Sequence, residues 1–339
     1  MIKAIDFFCG AGGLTRGLLD AGFTVLAGVD NDEKLKKTYE ANNFPSQFIR
    51  EDIRMIRPRS LRKKLGINHQ DTVLYAACTP CQPFSTLNQR HGRDDRKNLL
   101  LAFGEIIQVS PPDFVLVENV PGLNTAFGKS VFSRFRKILR AADFRQVYAE
   151  FLDAKDFGVP QTRKRFILLA SRRGEITAPE HSPLKLTVRD AIQKYPCLRD
   201  GEQSSHVPNH VARRLKPHHK RIVRAIPKDG GSRRDIANTS ILLKCHRENP
   251  DVHKDVFGRM AWLQPAPTLT CRCTDVYCGR FVHPDQNRGI SLREAAALQT
   301  FDDTYVFHGD YVLHIAQQIG NAVPVKFAQA LGKAIISSI

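Results

Sequence analysis

Short runs of apolar residues recur through the first half of the chain, and each ends at a polar or glycine-rich segment. Their length and continuity are typical of strands that are buried on both faces of a sheet. The clearest runs are residues 4–8, 24–29, 72–77, 113–117 and 166–170, with shorter ones at 48–49 and 146–151. Helical patterns lie between them, at residues 14–22, 33–41, 99–109 and 129–142. This alternation predicts an α/β fold with helices on both faces of a largely parallel sheet.

A glycine-rich segment, residues 9–13, connects the first predicted strand to the first predicted helix. Strand, glycine turn and helix in this order open a nucleotide-binding unit, because glycines let the backbone approach a ligand and the helix N-terminus offers free N–H groups. The dinucleotide fingerprint is incomplete, since Gly10 and Gly12 are followed by Thr15 where a third glycine is expected. By itself the segment fits either a nucleotide site or a tight turn.

Two carboxylates stand where further strands end. Asp30 closes the second predicted strand, at the position of an acid that binds ribose hydroxyls. Asp52 follows the short third strand and could accept a hydrogen bond from an adenine amino group. An acid at that place is as often a cap or turn residue, so both interpretations of Asp52 stay open.

Residues 78–85, Cys-Thr-Pro-Cys-Gln-Pro-Phe-Ser, follow the apolar run 72–77. Pro80 and Pro83 cannot continue a strand, so the chain leaves the sheet here and Cys81 lies on a stiff loop at a strand end. Ligand sites of open α/β sheets form at that edge. Cys81 fits a buried structural cysteine, a redox pair with Cys78, or a nucleophile.

Other polar residues are expected near the same edge. Glu118 follows the run 113–117 and would face the Cys81 loop. Gln161, Arg163 and Arg165 share one face if their segment is extended, and two arginines on one face favour an anion or a carboxylate. The polar, basic residues 88–97 are expected to form either a phosphate-facing loop over the site or a solvated connection.

Composition narrows the class of protein. Of 339 residues, 51 are Lys or Arg and 34 are Asp or Glu, and a net charge of +17 favours a polyanionic partner, above all nucleic acid. The N-terminus has no signal-peptide pattern and no apolar run reaches a membrane span, which predicts a cytoplasmic protein. The spacing of the eight cysteines matches no paired zinc pattern, so no metal site is expected.

The pattern loses its periodicity near residue 174. From there to about residue 287 the chain is rich in Pro, His, Arg and Lys, which predicts a smaller, irregular domain whose basic loops contact phosphates. We therefore expect a catalytic and cofactor-binding domain at 1–174 and a second domain at 175–287. Residues 288–339 are expected to pack back onto the first domain.

With these residues in view, the sequence resembles the C5-cytosine-specific DNA methyltransferases of the bacterial restriction–modification type. The resemblance covers nearly the whole chain and keeps the family's motif order. Its matching segments are residues 6–13, 80–82, 118–120, 161–165, 293–294 and 320–323. Cys78 and Thr79 depart from the family pattern, which has small or apolar residues before Pro80.

The resemblance implies a Rossmann-like, S-adenosylmethionine-dependent methyltransferase sheet, with a target-recognition domain at 175–287. It implies methyl transfer to C5 of a flipped-out cytosine in duplex DNA through a covalent Cys81–C6 intermediate. It further implies a monomer, with or without a partner restriction endonuclease. The catalytic residues it predicts are Cys81, Glu118, Arg163 and Arg165. The cofactor-binding residues it predicts are Phe8, Gly10, Gly12, Gly13, Asp30, Asp52, Ile53, Pro80, Leu99 and Asn321.

Other functions fit parts of the pattern. An RNA C5-cytosine methyltransferase shares these motifs, but the Cys-Phe-Thr signature of that branch is absent from the sequence. A thiol–disulfide oxidoreductase would use Cys78 and Cys81 but would need neither the glycine segment nor Asp30. A binding protein with a decayed catalytic site ranks low, because every catalytic residue type is present. A zinc nucleobase deaminase is disfavoured because H-x-E and P-C-x-x-C do not occur at suitable places.

Overall fold

A computed structural model describes residues 2–80, 98–124, 128–237, 239–249 and 251–339. Within these ranges the strands form one mixed sheet in the order β3-β2-β1-β4-β5-β7-β6. The strands are β1 (Lys3–Phe7), β2 (Thr24–Asp30), β3 (Gln47–Arg50), β4 (Val73–Cys78), β5 (Phe114–Asn119), β6 (Gln146–Asp153) and β7 (Lys164–Ser171). The apolar runs of the sequence account for all of them.

The first five strands are parallel to one another, and β7 is antiparallel to both β5 and β6. The strand order turns back at β1, which lies between β2 and β4. Such a reversal opens a crevice beyond the carboxyl ends of the strands, where α/β sheets bind ligands. Because crossovers between parallel strands are right-handed, the helices on the two sides of this reversal cover opposite faces of the sheet.

The described helices extend over both halves of the chain. They are α1 (Gly13–Ala21), α2 (Lys36–Asn42), α3 (Pro58–Lys64), α4 (Leu99–Val109), α5 (Lys129–Ala141), α6 (Val188–Ile192), α7 (Pro217–Ala225), α8 (Lys244–Glu248), α9 (Leu292–Leu298), α10 (Val312–Asn321) and α11 (Val325–Ile336). None of them combines the length and the apolar character that a membrane crossing needs.

The chain divides into two compact units. Unit 1 comprises Met1–Phe157, Lys164–Ser182 and Val323–Ile339, and it contains the sheet. Aromatic side chains fill its core around Phe103, whose ring centroid lies 5.3 Å from that of Phe7 and 6.2 Å from that of Phe135. These contacts join α4 to β1 and α5, so the core fixes the helices against the strands that carry the site.

Helix α11 packs on α1 at a position that requires glycine. A Cβ atom added to Gly17 would lie 2.4 Å from the Cβ of Ala328 and 2.5 Å from the carbonyl oxygen of Val325. The two backbones therefore approach each other without an intervening side chain at this point. This contact binds the last helix of the chain to the first helix of unit 1.

Unit 2 comprises Gly158–Arg163 and Pro183–Ala322, and buried arginines hold its irregular loops. The Arg259 guanidinium donates to the carbonyl oxygens of Val223, Ile226 and His283. Each of these carbonyl oxygens lacks a hydrogen-bond donor from a helix or sheet of the described residues, and Arg259 supplies one. Such side-chain bonds keep the buried backbone hydrogen-bonded in a unit with little regular secondary structure. Arginines of unit 2 thus stabilise its fold in addition to contributing to the positive charge of the chain.

The units differ from the predicted domains at three places, the first being Gly158–Arg163, which was expected in the first domain and belongs to unit 2. Unit 1 continues to Ser182, eight residues beyond the expected boundary at 174. Residues 288–322, expected to pack onto the first domain, belong to unit 2, and only Val323–Ile339 returns to unit 1. Composition places the change of pattern near residue 174, but the division into units depends on long-range contacts that composition does not carry.

Candidate active site

The segment after β1 adopts a backbone suited to close approach by a ligand. Phe8, Gly10 and Gly12 have φ values of 59°, 55° and 92°, in the left-handed region. The Cys9 amide donates to the carbonyl of Val29, 3.1 Å away, which fastens the segment to β2. Gly12 then caps α1, no side chain caps its first turn, and Gly13 begins the helix. A first helical turn has N–H groups without intrahelical partners, and one of them here, that of Thr15, bonds with Asp6.

Asp30, the last residue of β2, organises this segment. Its Oδ2 accepts a hydrogen bond from the Gly10 amide at 3.1 Å, and its Oδ1 accepts one from the Asp32 amide at 3.1 Å. Burial raises the pKa of Asp30, and the two amide hydrogen bonds partly offset that rise. The structure thus places the predicted ribose acid in contact with the glycine segment.

A buried hydrogen-bonded chain lies beneath the same segment. Thr15 donates to Asp6 Oδ2 at 2.7 Å and lies 3.0 Å from the Tyr39 hydroxyl, which lies 2.7 Å from Ser46. Asp6 Oδ1 is buried without a hydrogen-bond partner among the described residues. Burial raises the pKa of Asp6 to about 7, with the Thr15 bond lowering it and the charge of Asp30 raising it further. Pattern reasoning missed this chain of contacts, whose one sign in the sequence is an acid inside an apolar strand.

Asp52 forms mostly local contacts. It caps a short 3₁₀ helix (Ile53–Met55) by accepting from the Arg54 amide, and both of its oxygens accept from the Arg54 guanidinium, at 2.9 and 2.6 Å. These bonds with Arg54 lower the pKa of Asp52 to about 2. The cap interpretation is therefore realised, and any contact with a ligand would be additional.

The remaining predicted cofactor residues lie in different settings. Ile53 is buried in the core of unit 1, and half-buried Leu99, the first residue of α4, packs against that core. Half-buried Pro80 lies two residues after the end of β4. Asn321 is exposed at the end of α10 in unit 2. The structure therefore gathers most of this set at the carboxyl edge of the sheet in unit 1.

Glu118 on β5 forms the centre of a buried polar cluster. Its Oε1 lies 2.9 Å from Nε of Arg165, which β7 contributes, and its Oε2 accepts from the Cys78 thiol at 3.0 Å. Only 4% of the Glu118 side chain and 11% of the Arg165 side chain are exposed. A buried carboxylate is stable only when it is paired and hydrogen-bonded, and both conditions are met here. Of the two arginines expected to favour an anion or a carboxylate, Arg165 thus meets one.

The ends of β4 and β5 are joined a second time, one residue further along. Nδ2 of Asn119 donates to Oγ1 of Thr79 at 2.6 Å and lies 3.3 Å from the Thr79 carbonyl oxygen, while Oδ1 of Asn119 accepts from the Val120 amide. Both Thr79 and Asn119 are buried. These bonds fix the start of the segment that leads from β4 into Pro80.

Gln161 and Arg163 have partners other than Glu118. The Arg163 guanidinium donates to the carbonyl oxygens of Leu269 and Gly320, and Gln161 bonds with Gln299 and with the Leu269 amide. All these groups belong to unit 2. Arg163 thus bonds with unit 2 and Arg165 pairs with Glu118 in unit 1, although both stand on the same predicted face.

Cys81 and the basic segment 88–97 lie outside the described residues. Seven other cysteines are described and all are free thiols. Within the described ranges no three His, Cys, Asp or Glu side chains come together in a group that could hold a metal ion.

One protein family combines the features described above: this strand order, a ligand-binding segment after β1, and a buried Glu–Arg pair at the end of β5. The family model of the C-5 cytosine-specific DNA methylases matches residues 2–337. The chain belongs to this family. It is a DNA (cytosine-5-)-methyltransferase.

Individual methylases resemble the chain along its full length. The Type II methylase M.HgiDII of Herpetosiphon aurantiacus is 39% identical over 99% of this chain and 94% of its own length. The Type II methyltransferase M1.HphI of Haemophilus parahaemolyticus is 32% identical over 98% of this chain and 86% of its own.

Solved structures of low identity share the fold. A protein assigned as a DNA modification methyltransferase encoded within an E. coli prophage superposes with a TM-score of 0.75, at 23% identity, over 100% of this chain and 99% of its own. The DNMT2 of Spodoptera frugiperda superposes with a TM-score of 0.63, at 18% identity, over 99% of this chain and 100% of its own. The predicted α/β, Rossmann-like methyltransferase fold is confirmed.

Proposed function

We propose that this methyltransferase transfers a methyl group from S-adenosylmethionine to C5 of a flipped-out cytosine within a specific duplex DNA sequence, through a covalent Cys81–C6 intermediate. The observation that carries the proposal is the buried Glu118–Arg165 pair. Glu118 lies in register with Cys78 on β4, the strand that leads through Thr79 and Pro80 to Cys81. In the sequence, Cys81 follows the end of β4 by three residues, and Glu118 lies beside that strand end.

The residues after β1 fit S-adenosylmethionine. Apart from its chain neighbours, no atom of the described residues lies within 4 Å of the place of a Cβ on Gly10, so these residues leave the backbone accessible there. The uncapped first turn of α1 offers amides to a carboxylate, and Asp30 offers oxygens to ribose hydroxyls. Phe8, Ile53, Pro80 and Leu99 would supply apolar contacts. Gly12, Gly13, Asp52 and Asn321 complete the proposed set. Bound there, the sulfonium group supplies an electrophilic methyl.

Cys81 supplies the covalent step. C5 of cytosine is too weak a nucleophile to accept a methyl group unaided. Addition of the Cys81 thiolate to C6 forms a C–S bond and makes C5 an enamine carbon. After methylation, loss of the C5 proton returns its electron pair to the ring and expels the thiolate, which restores the C5–C6 double bond. A thiol suits both halves of this cycle because it is a strong nucleophile and a workable leaving group.

Glu118 and Arg165 act on the base rather than on the thiol. Glu118, carrying or sharing a proton, would hydrogen-bond N3 and stabilise the negative charge that develops on the ring. Arg165 holds Glu118 Oε1 and would contact the base oxygen. The role of Arg163 in catalysis stays a prediction, since its described hydrogen bonds go to backbone carbonyls of unit 2.

Unit 2 supplies surfaces suited to DNA. Helix α7 buries Ile222 and Val223 and exposes Arg221 and Arg224, so one face is anchored and the other is free for phosphates. Because C6 of cytosine is inaccessible inside a stacked duplex, the base must flip out to reach Cys81. Residues 175–287 are the proposed target-recognition region. We also propose a monomeric, cytoplasmic enzyme of the Type II restriction–modification class, with or without a partner endonuclease.

The test is methyl transfer from labelled S-adenosylmethionine to unmethylated duplex DNA, followed by bisulfite sequencing. The wild type should methylate cytosine in one short repeated sequence. Cys81→Ser should abolish transfer and still bind DNA, whereas Cys197→Ser, at an exposed cysteine of unit 2, should transfer normally. Transfer to tRNA instead of DNA would replace the substrate proposal, and normal transfer by Cys81→Ser would refute the covalent mechanism.

A further inference from the structure

The Cys78 thiol touches the carboxyl group on which the proposed chemistry depends. Its Sγ lies 3.0 Å from Oε2 of Glu118, at the carboxyl end of β4. Cys78 and Glu118 are direct partners in the parallel β4–β5 ladder, so their side chains leave the sheet side by side on one face. The contact is therefore built into the strand register.

The two oxygens of the Glu118 carboxyl group meet different partners. Arg165 from β7 forms an ion pair with Oε1, and the Cys78 thiol from β4 donates a hydrogen bond to Oε2, so the carboxyl group lies between the strands on either side of β5. A glutamate has three rotatable side-chain bonds, and the ion pair alone leaves the carboxyl group free to turn about that contact. The directional bond from Cys78, on a different strand, adds the restraint that the ion pair does not supply.

The bond between Thr79 and Asn119 supports this geometry. It joins the residues immediately after Cys78 and Glu118, and both of its members are buried. Two successive side-chain contacts thus hold the ends of β4 and β5 together, which limits the freedom of Cys78 relative to Glu118. Cys78 and Thr79 are also the residues at which this sequence departs from the family pattern.

We propose that Cys78 is a positioning residue for methyl transfer: its thiol donates to Glu118 Oε2 and orients the carboxyl group towards N3 of the cytosine. The inference rests on the proposed function and deepens it. Cys78 forms no bond with substrate, and its thiol is neither oxidised nor used as a nucleophile in the cycle.

The test compares Cys78→Ala, which removes the donor, with Cys78→Ser, which keeps a donor of similar size. A thiol is a weak donor, and its loss to a charged acceptor should lower kcat by about fivefold to tenfold. The KM values for DNA and S-adenosylmethionine should stay within about twofold, because neither ligand touches Cys78. Cys78→Ser should restore kcat to within about twofold of wild type. Ser60→Ala, on the exposed helix α3 of unit 1, is the control for loss of a small polar side chain and should retain wild-type kcat.

A double-mutant cycle with Glu118→Gln separates the two hypotheses. If Cys78 acts through Glu118, Cys78→Ala should cause no further loss in the Glu118→Gln background. Wild-type kcat in Glu118→Gln itself would overturn the proposed function. An impaired Glu118→Gln beside a fully active Cys78→Ala would overturn this inference alone. Equal losses in Cys78→Ala and Cys78→Ser, with lowered melting temperatures, would assign Cys78 to packing and overturn it as well.

Discussion

Asp6→Asn tests whether the chain of hydrogen bonds beneath the glycine segment contains a neutral acid. Burial raises the pKa of Asp6 from the ordinary 3.8 to about 7, so in the folded protein this carboxyl group stays protonated well above the pH at which it ionises in the unfolded chain. At a pH between these two pKa values the carboxyl group is protonated in the folded protein and ionised in the unfolded chain, so unfolding releases a proton. The free energy of unfolding should therefore fall as the pH rises from about 4 to about 7 and level off above that.

The size of the effect follows from the two pKa values. A rise from 3.8 to about 7 corresponds to roughly 4 kcal/mol of lost stability at high pH, of which roughly 2.5 kcal/mol is lost between pH 5 and 8. Asparagine keeps the shape and does not titrate. The difference in free energy of unfolding, Asp6→Asn minus wild type, should therefore grow by about this amount from pH 5 to 8.

Urea unfolding at several pH values, followed by far-UV circular dichroism, measures this difference. Trp262, the only tryptophan, lies in unit 2 and reports that unit separately. Thr15→Val removes the hydrogen bond that lowers the pKa of Asp6, so the fall in stability should move to higher pH. A difference between Asp6→Asn and wild type that stays constant from pH 5 to 8 would refute the reasoning.

Two further predictions concern packing and the strand ends. Gly17→Ala should lower the free energy of unfolding in urea by about 1–3 kcal/mol, because the added Cβ would overlap Ala328 and the Val325 carbonyl oxygen. Alanine ordinarily stabilises a helix relative to glycine, so a gain in stability would contradict the α1–α11 contact. Thr79→Val should lower the melting temperature by a few degrees and reduce kcat, because Nδ2 of Asn119 loses Oγ1 of Thr79 as its acceptor at 2.6 Å. If neither the melting temperature nor kcat changes, this bond does not order the end of β4.

The sequence predicted the elements whose pattern is local. The ends of the predicted strands lie within two residues of the observed ends, and the helix expected at 14–22 is α1, Gly13–Ala21. The capping-box spacing of Ser291 and Glu294 is realised at the start of α9. In each case the structure is determined by a continuous apolar stretch or by a cap within one helical turn. Residues close together in the sequence therefore suffice to predict it.

Helix α3, Pro58–Lys64, was not predicted, because it buries none of its residues and five of its seven side chains are Arg, Lys or Ser. The contacts of Cys78 were equally inaccessible. Its spacing to Cys81 pointed to redox chemistry, whereas its bond to Glu118 depends on β4 and β5 being paired in a particular register, forty residues apart in the chain. Register is a property of the assembled sheet.

The segment 161–165 shows most clearly where a sequence pattern stops. Alternation placed Gln161, Arg163 and Arg165 on one face, and the two arginines there favoured an anion or a carboxylate as partner. It could not predict that the chain passes from unit 2 to unit 1 between Arg163 and Lys164. The first two side chains therefore bond with backbone and amide groups of unit 2, and the third pairs with Glu118. A sequence motif specifies which polar groups a segment carries, but the fold determines which partners those groups contact. Here the fold gives Arg163 a structural role within unit 2 and places Arg165 beside the proposed catalytic carboxyl group.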